Sequence, residues 1–330
     1  MLSVETQSKT SKINSAVRLN LPTRSLRSLL AFMQERQTIY LKRKAGLPFP
    51  WTEDPVLRNY RLENVYREQD KETTWWRENW AIPYADHENL WFAACLFRMI
   101  NWSPTLAEIG FPEDWNPARV LQIMEQRKAR GEKVYTSAYM MPEHGEKSKA
   151  RYTVLRVLNP LWTQVADGNR PVWEKDDPAR YSWASLRDAH EWLGQFYGFG
   201  AGFLTYEIVT DLRHTRYLCN APDIYWWANP GPGAERGICR LRGDWTRIPA
   251  WDQLRYMRIA FRWLRKNRDR GILPTLEMRD VEHSLCAYDK WQRAHERLQA
   301  GSKPSLERFR LSLPLVRNLF GEMVPGRKTA

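Results

Sequence analysis

The 330-residue chain is 43% apolar and carries 17 Trp, 14 Tyr and 11 Phe, enough to bury a large core, which excludes a disordered or low-complexity protein. Its longest purely apolar run, Leu90 to Phe97, is far below the roughly 20 residues of a membrane span, the N-terminus lacks a secretory pattern, and four scattered cysteines (Cys95, Cys219, Cys239, Cys286) form no C-x-x-C pair, so a soluble cytoplasmic protein without metal, cofactor or disulfide framework is expected. The net charge of +13 is concentrated at the ends, +7 over residues 1–44 and +4 over 301–330 against +2 for the rest, a balance that favours a nucleic-acid partner.

Residues 1–22 read as a flexible basic segment. Pro22-Thr23 then opens a helix whose apolar stripe is Leu26, Leu29, Leu30 and Met33. Pro48, Pro50 and Pro55 around Trp51 mark an irregular stretch, and helix-compatible sequence returns from Asn64 to Asp70. Further helices are predicted over Glu88–Trp102, from Asn116-Pro117 to near Gly131, over Trp183–Phe196, over Asp252–Asn267 with Leu254, Met257, Phe261 and Leu264 on one face, and over Met278–Leu298. Between Val134 and Val157 the residues Tyr135, Tyr139, Tyr152, Val154 and Val157 read as strand-like or irregular. The expected class is all-α with few short strands, arranged as one helical catalytic domain over 23–300 and a basic helix or tail over 301–330.

The most informative stretch runs from Leu193 to Ile208. A helix end, the sequence Gly198-Phe199-Gly200 and a second apolar helix start describe a tight hairpin between two helices, because glycine tolerates left-handed backbone. Amides left free at the start of the second helix suit a DNA phosphate. The same text also fits a plain glycine-rich connection.

This hairpin resembles that of the helix-hairpin-helix DNA glycosylase superfamily, in which an active-site aspartate follows after one helix. Here Asp223, in Ala221-Pro222-Asp223-Ile224, stands 23 residues beyond Gly200. The lysine of the lyase-type members would fall at Gly202, so strand cleavage by a Schiff base is not expected. A two-lobed glycosylase-like helical architecture is what this resemblance implies.

Five further segments extend the likeness: Ile39 to Lys44, Pro50 to Leu57, Asn64 to Asp70, Gly231 to Gly237, and Val281 to Lys290. In that order, with the hairpin and Asp211 between them, they resemble the α-glutamyl/putrescinyl thymine pyrophosphorylase family of bacterial viruses, also described as the helical domain associated with hydroxymethyluracil DNA kinases. The resemblance implies thymine hypermodification in bacteriophage DNA. A transferase of this kind replaces the pyrophosphate on activated 5-hydroxymethyluracil with an amine from an amino acid or polyamine, after a kinase has activated the base. The chain contains no G-x-x-x-x-G-K-[ST] loop, so that kinase is expected on a separate polypeptide.

The reaction needs cations for the leaving pyrophosphate and a base for the attacking ammonium. Arg58, Arg61, Arg67, Arg236 and Lys290 stand in or beside the family-like segments and are the candidate cations. Asp223 is the candidate base, with Asp211 and Glu207 in reserve, because four-residue spacing puts those two carboxylates on one helix face. His283 is as readily a packed histidine as a participant. Gly198, Phe199, Gly200 and Gly202 are the candidate DNA contacts, and Trp226-Trp227 a stacking wall for a flipped base. The alternatives are a glycosylase acting on a modified pyrimidine and a DNA-binding module without chemistry.

Overall fold

The computed structural model describes residues 19–137, 144–166, 183–200, 202–309, 315–317 and 323–325. Helices dominate. In chain order they are α1 (Thr23–Lys44), α2 (Pro55–Asn59), α3 (Lys71–Trp76), α4 (Leu90–Ile100), α5 (Ser103–Ile109), α6 (Pro117–Ala129), α7 (Lys149–Arg151), α8 (Asn159–Ala166), α9 (Leu186–Leu193), α10 (Phe203–Leu212), α11 (Pro232–Arg242), α12 (Ala250–Asn267) and α13 (Met278–Gln299). Near the C-terminus β1 (Leu315–Arg317) pairs antiparallel with β2 (Met323–Pro325). The all-α expectation holds, and among the described residues no helix is long and apolar enough to cross a membrane.

The centre is α4, all eleven residues of which are buried. That apolar run is too hydrophobic for a surface, and each buried Leu, Phe or Met in it contributes roughly 1.5–3 kcal/mol. Trp76 stacks on Phe97, and Trp115 and Trp162 pack edge-on to Phe92, so these tryptophans wall the core. α10 packs across α4 and α9. The stripe Leu26, Leu29, Leu30 and Met33 buries α1 as the spacing predicts.

Local signals place most helix ends. Asn116 accepts from the Arg119 amide at 2.9 Å, Pro117 opens α6, and Gly131 follows with φ +72°. Ser185 caps α9 through the Asp188 amide, 3.0 Å away, and α13 opens with a reciprocal box between Glu277 and Asp280.

Two local expectations are corrected. The stretch expected to be strand-like or irregular is helical from Lys149 onward, with a π-helical segment at Tyr152–Leu158 whose Val154, Val157 and Leu158 are buried; 134–137 and 144–148 are irregular or turn, and Tyr139 lies outside the described residues. Burial beneath α6 overrides the local β preference of those residues. The stretch Asn64–Asp70 holds a single 3-10 turn, Arg67–Gln69, rather than a helix. Asn64 and Asp70 take over the backbone's bonding: Asp70 accepts from the Asn64 amide and side chain at 3.1 and 2.8 Å, and Asn64 receives Arg36 at 2.8 Å.

The closest helix contact is α11 on α13. A Cβ at Gly237 would overlap the Leu285 carbonyl, and one at Gly233 would overlap Cys286, so the Gly233-x-x-x-Gly237 spacing lets two helix backbones touch. This contact positions the amino end of α11 against the first half of α13.

Candidate functional site

Three of the segments read together in the sequence meet in space, around α13. Arg67, from the 3-10 turn, pairs with Glu207 of α10 and lies 3.4 Å from His283 Nδ1. Glu282, buried, accepts from the Gly231 amide at 3.3 Å, where the positive end of α11 begins. Lys290 pairs with Glu63, and His283 Nε2 is 3.7 Å from Asp70. Arg36 ties the loop beneath them, donating to the carbonyls of Leu62 and Glu63 at 3.0 and 3.1 Å.

The electrostatics distinguish the carboxyls. Burial pushes Glu282 up to about 7, against the pull of the Gly231 amide, Arg67 and Lys290, so it exchanges its proton near neutral pH. Asp280 is likewise raised to about 7, by burial first and by the neighbouring Glu68 and Glu277, while Arg279 opposes the shift. Glu63 behaves oppositely: burial works to raise it, but the charge and hydrogen bond of Lys290 pull it down, to about 2. Lys290 stays charged because Glu63 offsets its desolvation. His283 is kept neutral, lowered to about 3 by burial and then by Arg67. The buried Tyr206 hydroxyl, without a hydrogen-bond partner among the described residues, feels the charges of Glu282 and Arg67.

The predicted site residues divide accordingly. Arg67, Lys290 and Glu207 belong to this cluster. Asp211 lies behind it, gripped through both oxygens by buried Arg98, which also reaches Thr73 at 3.1 Å and lies 3.6 Å from Glu207. Glu207 and Asp211 do share a face, but what they share there is a guanidinium. Arg236 sits at the rim, 2.9 Å from Asp289. Arg58 and Arg61 are surface groups paired with Glu53 and Glu307 at 3.7 and 3.3 Å.

Asp223 is placed differently from its expected role. It is fully buried, and its two oxygens accept from the amides of Leu186 and Arg187 at 2.8 and 3.0 Å, so it seals the amino end of α9. With both oxygens engaged by backbone, it is not positioned to take a proton from a substrate. The glycine hairpin joins α9 to α10, with Gly198 at φ +88° and Gly200 at φ +51°. A Cβ at Gly198 would stand 2.6 Å from Val157, so both backbone shape and space demand glycine there. Phe199 is buried, Gly200 and Gly202 are exposed, and Thr205 Oγ1 closes the turn onto the carbonyls of Phe199 and Gly200 at 2.7 and 2.9 Å. Of the tryptophan pair, Trp227 is core, packed on His190 and Tyr206, and only Trp226 presents an exposed ring.

Sequence reasoning missed Glu282 as a carboxyl raised by burial and Arg98 as the cation that grips Asp211. Glu282 lies in the Val281–Lys290 segment, and its spacing with Arg279, Cys286 and Lys290 places all four on one face of α13. Lys290 also lines a cavity of about 150 Å³ with Arg293, Ala294, Arg297, Ser305 and Leu306, a basic hollow beside the cluster. Among the described residues no group of His, Cys, Asp and Glu is arranged to hold a metal ion.

Comparison with known proteins gives a family. The sequence model of the 5-hmdU DNA kinase helical domain matches residues 23–300. A 5-hmdU DNA kinase of Bacillus phage SP10 is 25% identical over 228 residues, covering 62% of this chain and 34% of that protein. The chain thus spans about a third of that relative's length. No solved structure matches it. Because the matched span takes in α1 through α13, with the cluster around Glu282, the chain belongs to the family of the 5-hmdU DNA kinase helical domain.

Proposed function

We propose that the chain is a transferase of DNA thymine hypermodification, which replaces the pyrophosphate of activated 5-hydroxymethyluracil with the amine of an amino acid or polyamine. The observation that carries this reading is Glu282, a buried carboxyl that titrates near neutral pH between Arg67, Lys290 and the amino end of α11. Ionised Glu282 takes one proton from the ammonium of the incoming amine. The freed nitrogen lone pair forms a bond to the methylene carbon on C5 of the base. The carbon–oxygen bond to pyrophosphate breaks, its electron pair leaving with the oxygen. Lys290, Arg236, Arg67 and the α11 amides receive that charge, and the basic hollow beside Lys290 offers room for it. Arg58 and Arg61 take no part, and Asp223 serves as a cap.

In this reading the glycosylase-like hairpin at Gly198–Gly202 seats a backbone phosphate, and the exposed Trp226 ring stacks on the extruded base. The family match supports DNA carrying 5-hydroxymethyluracil as the substrate class and a DNA kinase as the preceding activity. The place of work is then the cytoplasm of an infected cell.

The test offers purified protein DNA bearing pyrophosphorylated 5-hydroxymethyluracil together with glycine, glutamate or putrescine, and reads the nucleosides by mass spectrometry. An amine-linked thymidine derivative that requires Glu282 is expected. Unchanged nucleosides with every amine overturn the transferase, and release of free base with alkali-labile sites replaces it with a glycosylase.

A further inference from the structure

The outer face of α12 carries Arg255, Arg258, Arg262 and Arg265, spaced three, four and three residues apart, so they form one ridge opposite the buried Met257, Phe261 and Leu264. At 1.5 Å per residue the ridge is about 15 Å long. Solvating arginines normally meet carboxylates. Here, among the described residues, only Arg255 has one, Asp252 at 3.2 Å. Arg262 and Arg258 face each other's charge instead, and their repulsion adds to burial in lowering Arg258, while Arg268 is lowered by burial and then by Arg270 and Arg265. The buried Arg279 behaves in the opposite way, raised by its carboxylate neighbours despite burial.

Exposed aromatic rings flank the ridge. Arg258 lies 5.2 Å from the centre of Trp226, Arg265 lies 5.2 Å from Tyr225, and Arg255 lies 5.6 Å from Trp251. These rings are 46%, 51% and 64% exposed, which is unusual for groups of that size. Arg258 also donates to the Trp226 carbonyl at 2.7 Å, fixing the turn that presents the ring. A row of guanidinium groups, of which only Arg255 meets a carboxylate among the described residues, interleaved with open rings has the chemistry of a nucleic-acid track: cations for phosphates and flat faces for bases. An acidic protein surface needs the charges but leaves the rings without purpose.

We infer that the α12 ridge with Trp226 and Trp251 is a second DNA contact, separate from the glycine hairpin, that carries the phosphate backbone of the substrate strand past the site. This rests on DNA being the substrate. With one phosphate per strand for about every 3.4 Å of duplex axis, a ridge of this length runs past roughly four on a strand.

The test is fluorescence anisotropy of the full chain with unmodified labelled oligonucleotides, single-stranded and duplex, across a salt series. The double variant Arg262→Gln/Arg265→Gln removes two exposed charges of the ridge. It is expected to weaken binding at least tenfold at low salt and to flatten the log–log salt slope by about two. Lys128→Gln/Lys149→Gln removes two exposed charges elsewhere and is expected to leave affinity within twofold. Trp226→Ala/Trp251→Ala is expected to weaken single strands more than duplex. Unchanged affinity and slope in the arginine variant, or an equal loss in the lysine control, overturns the ridge. Because no chemistry is read, the ridge can fail while amine transfer persists, and transfer can fail while the ridge still binds DNA.

Discussion

The Glu282 carboxylate accepts the Gly231 amide at 3.3 Å, and this one bond joins the second turn of α13 to the N-cap of α11. It exists because Gly233 and Gly237 let the two helices approach to backbone contact. The same approach strips water from Glu282, and that burial raises its proton affinity.

Replacing this carboxyl therefore separates chemistry from binding. Glu282→Gln keeps the size and can keep the bond to Gly231, but it accepts no proton. Amine transfer is expected to fall by at least about 100-fold, with DNA affinity within twofold of the parent, as read by nucleoside mass spectrometry and anisotropy.

The same variant has a pH signature in stability. Between the ordinary value of 4.5 and about 7, the folded chain holds a Glu282 proton that the unfolded chain has lost, so this group's contribution to stability declines as pH rises through that window. Glutamine has no such proton. The stability of Glu282→Gln relative to the parent is expected to grow from about pH 5 to about pH 8, by up to about 3 kcal/mol, in urea titrations at each pH. A flat difference contradicts the raised proton affinity.

Arg98 neutralises two buried carboxylates, Asp211 and Glu207. Arg98→Met leaves both without it and is expected to cost about 3–5 kcal/mol. Adding Asp211→Asn removes one stranded charge, so the double variant is expected to be more stable than Arg98→Met alone in chemical denaturation.

Asp223 is expected to act through α9 and not through the reaction. Asp223→Asn retains one acceptor for the amides of Leu186 and Arg187, and is expected to lower stability by about 1–2 kcal/mol while transfer well below the melting temperature stays within threefold. A loss of transfer matching that of Glu282→Gln, in a folded variant, would return Asp223 to the reaction.

Gly237→Ala forces a Cβ into the Leu285 carbonyl, which is rigid backbone, whereas Gly233→Ala meets the Cys286 side chain first. The first is expected to destabilise by about 1–3 kcal/mol and the second by less, by calorimetry.

The periodicities of α1, α6, α12 and α13 and the glycines of the hairpin were legible because each depends on residues within a few positions of one another. Helical faces, proline starts and left-handed turns are local physics. The ordered segments also pointed to the right family. That burial would raise Glu282, and Asp280 with it, was not local. Asp223 and Glu282 are both buried acids, yet one is held by two amides at the start of α9 and the other by a single amide beside distant cations. A carboxyl's proton affinity follows from the water, dipoles and charges that tertiary packing gathers around it, and here those arrive from the 3-10 turn, α11 and α13, which stand far apart in the chain.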